Sequence, residues 1–179
     1  MSGRVRVYIA SSLDGFIAGP NDELDWLPDP TPDVALPDGV LGFEAFMKDI
    51  GAMVMGRNTY DVVRGLSATW FYGETPVRVA TTRPFATDLP TVRAVRGEIG
   101  AVLDEALALA GGKDVYVDGG ATIRAALDAG RVDDAVVTVI PVVLGAGKPL
   151  FAGARRRGME ILSARDYGAG IVQLHLRPR

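Results

Sequence analysis

The chain has 179 residues, of which 48% are hydrophobic and 23% charged, and its formal net charge is -3. This length and composition are those of one ordinary globular domain, covering residues 1–179. The acidic balance gives no general attraction to nucleic acid, and no apolar run is long enough to span a bilayer, so we expect neither kind of partner.

Two residue types that carry much enzyme chemistry are scarce. The absence of cysteine excludes disulfides, thiolate catalysis and sulfur-ligated metals. His175 is the one histidine, and it alternates with apolar residues in a terminal strand pattern, so we expect an exposed strand residue and no metal site. Arg4 and Arg6 interrupt any secretory leader pattern at the N-terminus, so we expect a cytoplasmic location.

The hydrophobic pattern alternates strands with helices along the chain. Apolar residues at every second position predict strands, whereas spacings of three and four predict helices. In chain order we predict strand 4–12, helix 41–50, strand 52–55, helix 59–63, strand 76–80, a short extended piece 92–95, helix 98–110, strand 115–117, helix 121–129, strand 135–143, and a hairpin of strands 160–165 and 171–177. This order predicts an α/β fold with a mostly parallel sheet and an antiparallel edge.

A long loop separates the first strand from the first helix. The strand ends at the turn residues Asp14 and Gly15, and proline-rich turns follow to about residue 41. Asp25 and Trp26 lie between those turns. Loops of this length are uncommon inside a compact domain and are usually functional, so we expect this one to carry function.

Three predicted strands end in polar sequences that begin turns or helices. They are Gly56-Arg57-Asn58-Thr59, Thr81-Thr82-Arg83-Pro84 and Asp118-Gly119-Gly120-Ala121-Thr122. In a parallel sheet, ligands bind beyond the carboxyl ends of the strands, where helix N-termini present free amides. Glycines let a phosphate approach, and threonines and arginines donate hydrogen bonds to it. Each sequence alone is a capped helix start or a tight turn, but the three together suit an anionic dinucleotide.

Two common phosphate-binding motifs are missing. The glycine fingerprint of the ordinary dinucleotide fold does not follow the first strand. The segment 145–149 lacks both the first glycine and the Ser/Thr of a P-loop, because Val142 and Pro149 stand at those positions. We therefore expect an ordinary loop at 145–149.

The order of these segments resembles the dihydrofolate reductase fold. The segments are SLDGFIAGP, DW, VMGRNTY, VATTRP, YVDGGATI and VDDAVVTVIPVVLGAGKPLF, and together they span nearly the whole chain. Within that fold, the pattern is similar to the reductase domain of bifunctional riboflavin-biosynthesis proteins and to stand-alone bacterial relatives. The resemblance implies an NADPH-dependent reductase that acts on a small heterocycle, as 5-amino-6-(5-phosphoribosylamino)uracil reductase does.

The resemblance also implies how the cofactor is held. The NADPH pyrophosphate would lie at the two helix starts 56–59 and 118–122, and the adenosine 2′-phosphate would lie at Thr81, Thr82 and Arg83. Independently of the resemblance, hydroxyls and a cation after this strand favour NADPH, whereas an acidic residue there would mark NADH.

Further positions are implied at the nicotinamide and substrate end. Ala10 and Ile17 match residues that contact the nicotinamide, and Thr138 matches a threonine on the substrate side. Relatives of this kind are often homodimers, so a homodimer is an expectation here as well.

The proton donor is left open among several acidic residues. Reduction of a C=N or C=O bond needs a proton source beside the cofactor. Asp38 and Glu44 are nearest to the acid of dihydrofolate reductases, and Asp14 and Asp25 are alternatives, Asp25 also as a substrate contact. Each of these could instead be a solvated carboxylate or a helix cap. Trp26 is either a loop anchor or a lid over the nicotinamide.

Two positions depart from the riboflavin-pathway reductases. Tyr8 stands where those proteins carry a lysine, and the sequence 56–61 replaces an aspartate-rich loop. Both features help to hold a ribityl phosphate in that family, so the substrate stays open. A true dihydrofolate reductase and a non-catalytic NADP-binding module are the alternatives.

Overall fold

The computed structural model describes residues 3–28 and 36–179. Its helices are α1 (Phe43–Lys48), α2 (Arg57–Leu66), α3 (Ile99–Leu109) and α4 (Gly120–Asp128). Its strands are β1 (Val5–Ser12), β2 (Phe16–Ala18), β3 (Ile50–Gly56), β4 (Val77–Ala80), β5 (Val92–Val95), β6 (Asp114–Asp118), β7 (Asp134–Ile140), β8 (Lys148–Pro149), β9 (Met159–Gly168) and β10 (Ile171–Pro178). Among the described residues, no helix has the length and apolar character needed to cross a membrane.

One eight-stranded sheet organises the chain, in the order β5-β4-β3-β6-β1-β7-β10-β9. The six strands from β5 to β7 run parallel, whereas β10 is antiparallel to β7 and β9 is antiparallel to β10. The predicted α/β fold, with its parallel sheet and antiparallel hairpin, is therefore confirmed. Part of the predicted long loop, residues 29–35, lies outside the described residues.

Helices cover both faces of the sheet, and the strand side chains alternate between them. On β3, Ala52 and Val54 belong to the core beneath α3 and α4. Met53 and Met55 point the other way and belong to the core that includes Phe46 of α1. All four β3 side chains are fully buried, which explains why this strand reads as a continuous apolar run rather than an alternating one.

A second, two-stranded sheet was not predicted. The residues of β2, expected to be loop, pair in antiparallel fashion with β8. The expectation of a plain loop over 145–149 is therefore wrong at its last two residues. Strands of two or three residues are too short to show a period of two, so the sequence carries no signal for them.

Several element boundaries also differ from prediction, among them those of α2 and β7. The helix expected at 59–63 begins at Arg57, directly after the strand, and continues to Leu66 through Gly65. The strand expected at 135–143 ends at Ile140, because Pro141 has no N–H with which to continue the ladder.

The polar face predicted for the last strand is wrong. Gln173 is 4% exposed, and its Oε1 accepts a hydrogen bond from the Leu41 N–H at 2.8 Å. Val172, one of the apolar residues with which His175 alternates, is 38% exposed. His175 is half-buried rather than exposed, with its Nε2 3.1 Å from Asp134 Oδ1. The segment that leads into α1, through Leu41, covers the face that the alternation assigned to solvent.

A buried ion network joins β1 to its two neighbours. The Arg6 side chain is 6% exposed; its Nε donates to Asp134 Oδ1 at 3.0 Å and its Nη1 to Asp114 Oδ2 at 3.4 Å. The guanidinium carbon also lies 5.0 Å from the ring centroid of Phe46. Arg4 reaches the same two carboxylates, but its side chain is 53% exposed. These charges hold the strand ends opposite to the carboxyl ends of the parallel strands.

Replacing the buried arginine is expected to destabilise the fold strongly. Arg6→Ala leaves two buried carboxylates without their buried cation, so it should lower the free energy of unfolding by about 3 to 5 kcal/mol. Arg4→Ala removes an exposed partner of the same carboxylates and should cost less than about 1 kcal/mol. Urea denaturation of both variants measures the difference, and equal losses would contradict the assignment.

Candidate active site

A cavity of about 890 Å³ opens where the parallel strands end. Ala10 of β1, Gly56 of β3, Ala80 of β4 and Asp118 of β6 all line it. This is the edge at which parallel sheets bind ligands, and the volume is near the upper end for small-molecule sites. The cavity is large enough for a cofactor and a substrate together.

The two helices that begin at the cavity face each other. A Cβ on Gly56 would lie 3.1 Å from Thr122 Oγ1, and one on Gly119 would overlap Thr59 Oγ1. Each glycine thus precedes one helix and packs against a threonine in the first turn of the other. No described side chain caps either helix, so the first-turn amides are free to bind an anion.

The glycine pair after β6 serves two distinct purposes. Gly119 has φ +86°, a backbone conformation that side chains disfavour. Gly120 has no such restriction, but a Cβ there would lie 2.6 Å from the carbonyl oxygen of Pro149 and 2.9 Å from Arg124 Nη1. The pair is therefore both a tight corner and a point where the backbone closely approaches Pro149 of β8 beside the cavity.

A smaller concavity continues from the cavity beyond β4. Thr81, Thr82 and Arg83 line it, together with Arg57 and Arg96. Arg83 Nη2 donates to Asn58 Oδ1 at 2.7 Å, and Arg96 Nη2 donates to the Thr82 carbonyl oxygen at 3.1 Å. Arg57 lines both spaces and donates to the Pro84 carbonyl oxygen at 2.8 Å. Three arginines thus border one end of the site.

Arg96 was not among the candidates from the sequence. Arg96 comes directly after the short strand β5 and is not part of a glycine motif. It reaches the concavity because β5 pairs with β4. The nearest signal was its place at the end of a predicted extended segment.

Most of the predicted cofactor residues lie together at the cavity. Besides the two helix starts, Ala10 and Ile17 line it, and Ile17 lies beside Gly120 because β2 pairs with β8. The two predicted substrate residues do not line it: Asp25 is exposed on the loop, and Thr138 lies on β7 with its Oγ1 3.4 Å from Gln173 Nε2.

The four residues predicted for catalysis are absent from the cavity wall among the described residues. Asp14 instead fastens its turn to the loop before β8, accepting from the N–H groups of Leu144 at 3.1 Å and Gly145 at 2.7 Å. The Ser12 hydroxyl and these amides lower the pKa of Asp14, so it stays an anion. Asp14 therefore acts here as a hydrogen-bond acceptor that fixes a turn.

The other three predicted catalytic residues also lie outside the cavity wall. Trp26 donates from Nε1 to the Glu23 carbonyl oxygen at 3.2 Å, which is an anchor within its own loop. Asp38 is exposed, and Glu44 is exposed in the first turn of α1. The sequence could not separate these solvated carboxylates from a carboxyl that faces a cavity.

Asp118 lines the cavity at the end of β6. Its Oδ1 accepts from the Gly119 N–H at 2.7 Å, and the Tyr72 hydroxyl lies 3.5 Å from its Oδ2. Burial raises the pKa of Asp118 to about 6, although the Gly119 amide and the hydroxyls of Tyr116 and Tyr72 oppose the rise. Sequence analysis assigned Asp118 to cofactor binding alone, because Tyr72 and the other walls come from distant parts of the chain.

The family model of the RibD C-terminal domain matches residues 4–173. The chain belongs to the RibD C-terminal domain family. Over 98% of each chain it is 29% identical to the uncharacterised protein YwjB of Bacillus subtilis. A Shewanella sp. PV-4 protein, whose name assigns it provisionally to riboflavin biosynthesis, is 30% identical, and the structures agree with a TM-score of 0.85 over 98% of this chain and 99% of that one.

Dihydrofolate reductase shares the fold of this RibD C-terminal domain. The Enterococcus faecalis enzyme, solved with NADP(H), gives a TM-score of 0.61 over 100% of this chain and 98% of that one, at 13% identity. Identity this low shows the fold alone. The resemblance predicted from the order of motifs, in both family and fold, is therefore confirmed, and it identifies a reductase-type domain.

The raised pKa of Asp118 makes a prediction for stability. Between its ordinary pKa of 3.8 and about 6, the folded state holds a proton that the unfolded state has lost, so stability falls as pH rises through this window. The free energy of unfolding of the Asp118→Asn variant, taken relative to that of the parent, should therefore rise by about 2 to 3 kcal/mol when the pH goes from 3.5 to 8. Urea denaturation at both values tests this, and a difference that does not change with pH would contradict the buried carboxyl.

Proposed function

We propose that the protein is an NADPH-dependent reductase that transfers a hydride to a small heterocyclic substrate. The observation that carries the proposal is the pair of uncapped helix N-termini that face each other across one cavity. Two opposed sets of free amides suit the two phosphates of a dinucleotide. The family supports a reductase, and the residues around the cavity support this cofactor.

The residues present fit the phosphates of NADPH. Gly56 and Gly120 leave room where a side chain would crowd the opposite wall. The amides at the starts of α2 and α4 would hold the pyrophosphate. Thr81, Thr82 and Arg83 would hold the 2′-phosphate, because charge-assisted hydrogen bonds from a guanidinium are strong for phosphate oxygens. Bound in this way, NADPH supplies the hydride and leaves as NADP⁺.

Asp118 is the proposed proton donor. The substrate takes one proton for each hydride, and general acids work best when their pKa lies near the working pH. Below about pH 6, Asp118 is protonated. Its carboxyl group lies at the cavity, where it can donate that proton. Its hydrogen bond from Gly119 fixes the carboxyl beside the start of α4.

Cofactor titration tests the proposal directly. Protein fluorescence should show that NADPH binds at least about tenfold tighter than NADH. One charge-assisted hydrogen bond from Arg83 to the 2′-phosphate, which NADH lacks, would give a difference of this size. Gly120→Val should weaken NADPH binding by at least about tenfold, because its side chain meets Pro149 and Arg124. Gly65→Ala is the matched control: it also changes a helix glycine, but its Cβ meets nothing within 4 Å.

The outcomes of that titration separate the alternatives. If neither nucleotide binds, the proposal is wrong. If Gly120→Val lowers the stability of the protein against urea instead of weakening NADPH binding, and Gly65→Ala does not, the glycine pair is a structural corner. Binding of NADPH without turnover of any pterin or pyrimidine favours the non-catalytic module, and efficient reduction of dihydrofolate favours a true dihydrofolate reductase.

The pH dependence of reduction tests the proton donor. With a heterocycle that the protein reduces, kcat should fall as pH rises through about 6, because Asp118 then loses its proton. Asp118→Asn should lower kcat by about 10²- to 10⁴-fold and abolish this decline. NADPH binding, measured in parallel, should change little. A variant that keeps both the rate and the pH profile would remove Asp118 from the mechanism.

A further inference from the structure

Arg124 of α4 is a half-buried cation in the cavity wall. Arg57 of α2 and Lys148 of β8 line the same cavity, and both are paired with carboxylates. Arg57 Nε lies 2.8 Å from Asp61 Oδ1, and Lys148 Nζ lies 3.9 Å from Asp22 Oδ1. Among the described residues, no carboxylate lies within ion-pair distance of Arg124, whose hydrogen bonds go to carbonyl oxygens. A half-buried cation without a carboxylate partner suits an anion that comes with a ligand.

The Arg124 guanidinium is held in place from one side only. Its Nη1 donates to the carbonyl oxygens of Pro149 and Leu150, which follow each other at the end of β8. A guanidinium carries five N–H groups in a rigid fork. Within the described part of the chain, no residue accepts from Nε or Nη2. The two carbonyl groups therefore fix the fork and leave part of it able to donate to a ligand.

The side chain carries this charge back to the start of α4. Long side chains on a helix lean toward its N-terminus. Accordingly, Arg124 Nη1 lies 2.9 Å from the position that a Cβ would take on Gly120, the first residue of α4. The positive end of the helix dipole lies at the same place. Two sources of positive charge are therefore close together, an arrangement that is unfavourable by itself and that a bound anion stabilises.

Arg124 approaches the start of α4 from the side opposite to α2. Gly119 packs against Thr59 of α2, whereas Gly120 packs against Arg124 and Pro149. An anion at the start of α4 would thus have the first-turn amides of α2 on one side and the Arg124 guanidinium on the other. The arginine-bordered concavity at β4 and β5 is a separate place, because Arg124 does not line it.

We propose that Arg124 binds the pyrophosphate of the dinucleotide and supplies a large part of the affinity for it. This inference rests on the proposed function for the identity of the ligand. Both phosphates of the pyrophosphate carry a negative charge, and a guanidinium makes strong charge-assisted hydrogen bonds to phosphate oxygens. The helix amides contribute dipoles, and Arg124 contributes a full charge. If Arg124 had a structural role alone, it would do no more than tie α4 to β8.

Three ligands separate a pyrophosphate contact from a general change in the site. In isothermal titration calorimetry, Arg124→Gln should weaken the binding of NADP⁺ and of inorganic pyrophosphate by at least about tenfold, the loss expected for one hydrogen bond to a charged group. Adenosine 2′-monophosphate lacks the pyrophosphate and should bind the variant and the parent equally. Inorganic pyrophosphate is titrated with and without adenosine 2′-monophosphate, which fills the concavity at β4 and β5.

Arg156→Gln is the matched control for Arg124→Gln. It removes the same charge from an exposed residue that does not line the cavity, so the affinities for all three ligands should stay unchanged. Urea denaturation checks that each variant folds. Should Arg124→Gln not fold, Arg124→Met takes its place, because methionine keeps the apolar stem of the side chain, and the same losses are expected.

The dependence on salt separates charge from packing. Raising the ionic strength should weaken pyrophosphate binding to the parent, because salt screens the attraction. This decline should be less steep for Arg124→Gln, which has one cation fewer beside the ligand. Loss of the tie between α4 and β8 would lower the affinity without changing the steepness of the decline.

The outcomes distinguish this inference from the proposed function. The inference is overturned by an unchanged pyrophosphate affinity in Arg124→Gln, by an equal loss for adenosine 2′-monophosphate, or by a loss that leaves the salt dependence unchanged. Failure of NADP⁺ to bind the parent, while pyrophosphate binds through Arg124, would count against the proposed function alone. If the parent binds neither NADP⁺ nor pyrophosphate, both are wrong.

Discussion

The close approach of two helix starts is the constraint on which the site depends. Strands β3 and β6 are adjacent and parallel, with Met55 opposite Asp118, so α2 and α4 begin at the same level of the sheet. Each start packs its glycine against the first-turn threonine of the other helix. Side chains at these glycines would force the helices apart. The positive ends of two helix dipoles are therefore held toward one space, an arrangement that an anion stabilises.

The rest of the cavity acquires its polarity from the strands on either side of this pair. Toward β4 and β5 the chain supplies arginines, whereas toward β1 it supplies the aromatic rings of Tyr8 and Phe43. Asp118 lies between the two halves, and its proton depends on the same burial that shapes the cavity.

Backbone pairing closes the cavity on its remaining side. The β2–β8 ladder brings Ile17 and Pro149 next to Gly120, and Asp14 ties the preceding turn to the loop before β8. Asp14, one of the carboxylates that sequence analysis considered for proton transfer, thus fastens a turn beside the site. A turn carboxylate and a catalytic one look alike in sequence, because the difference lies in which amides surround them.

Much of the fold and most of the segments that line the cavity were determined by the sequence itself. The period of the apolar residues involves only neighbours along the chain, and it predicted the parallel sheet and its hairpin. The glycines at the ends of β3 and β6 marked two of the three segments that line the cavity and its smaller concavity. Tertiary structure alone decided that Gln173 is buried, that Asp118 rather than Asp14 faces the cavity, and that Arg96 joins Arg83. Burial, pKa and pairing are set by groups that are distant along the chain, such as Tyr72 beside Asp118, and no local pattern records which of them will meet.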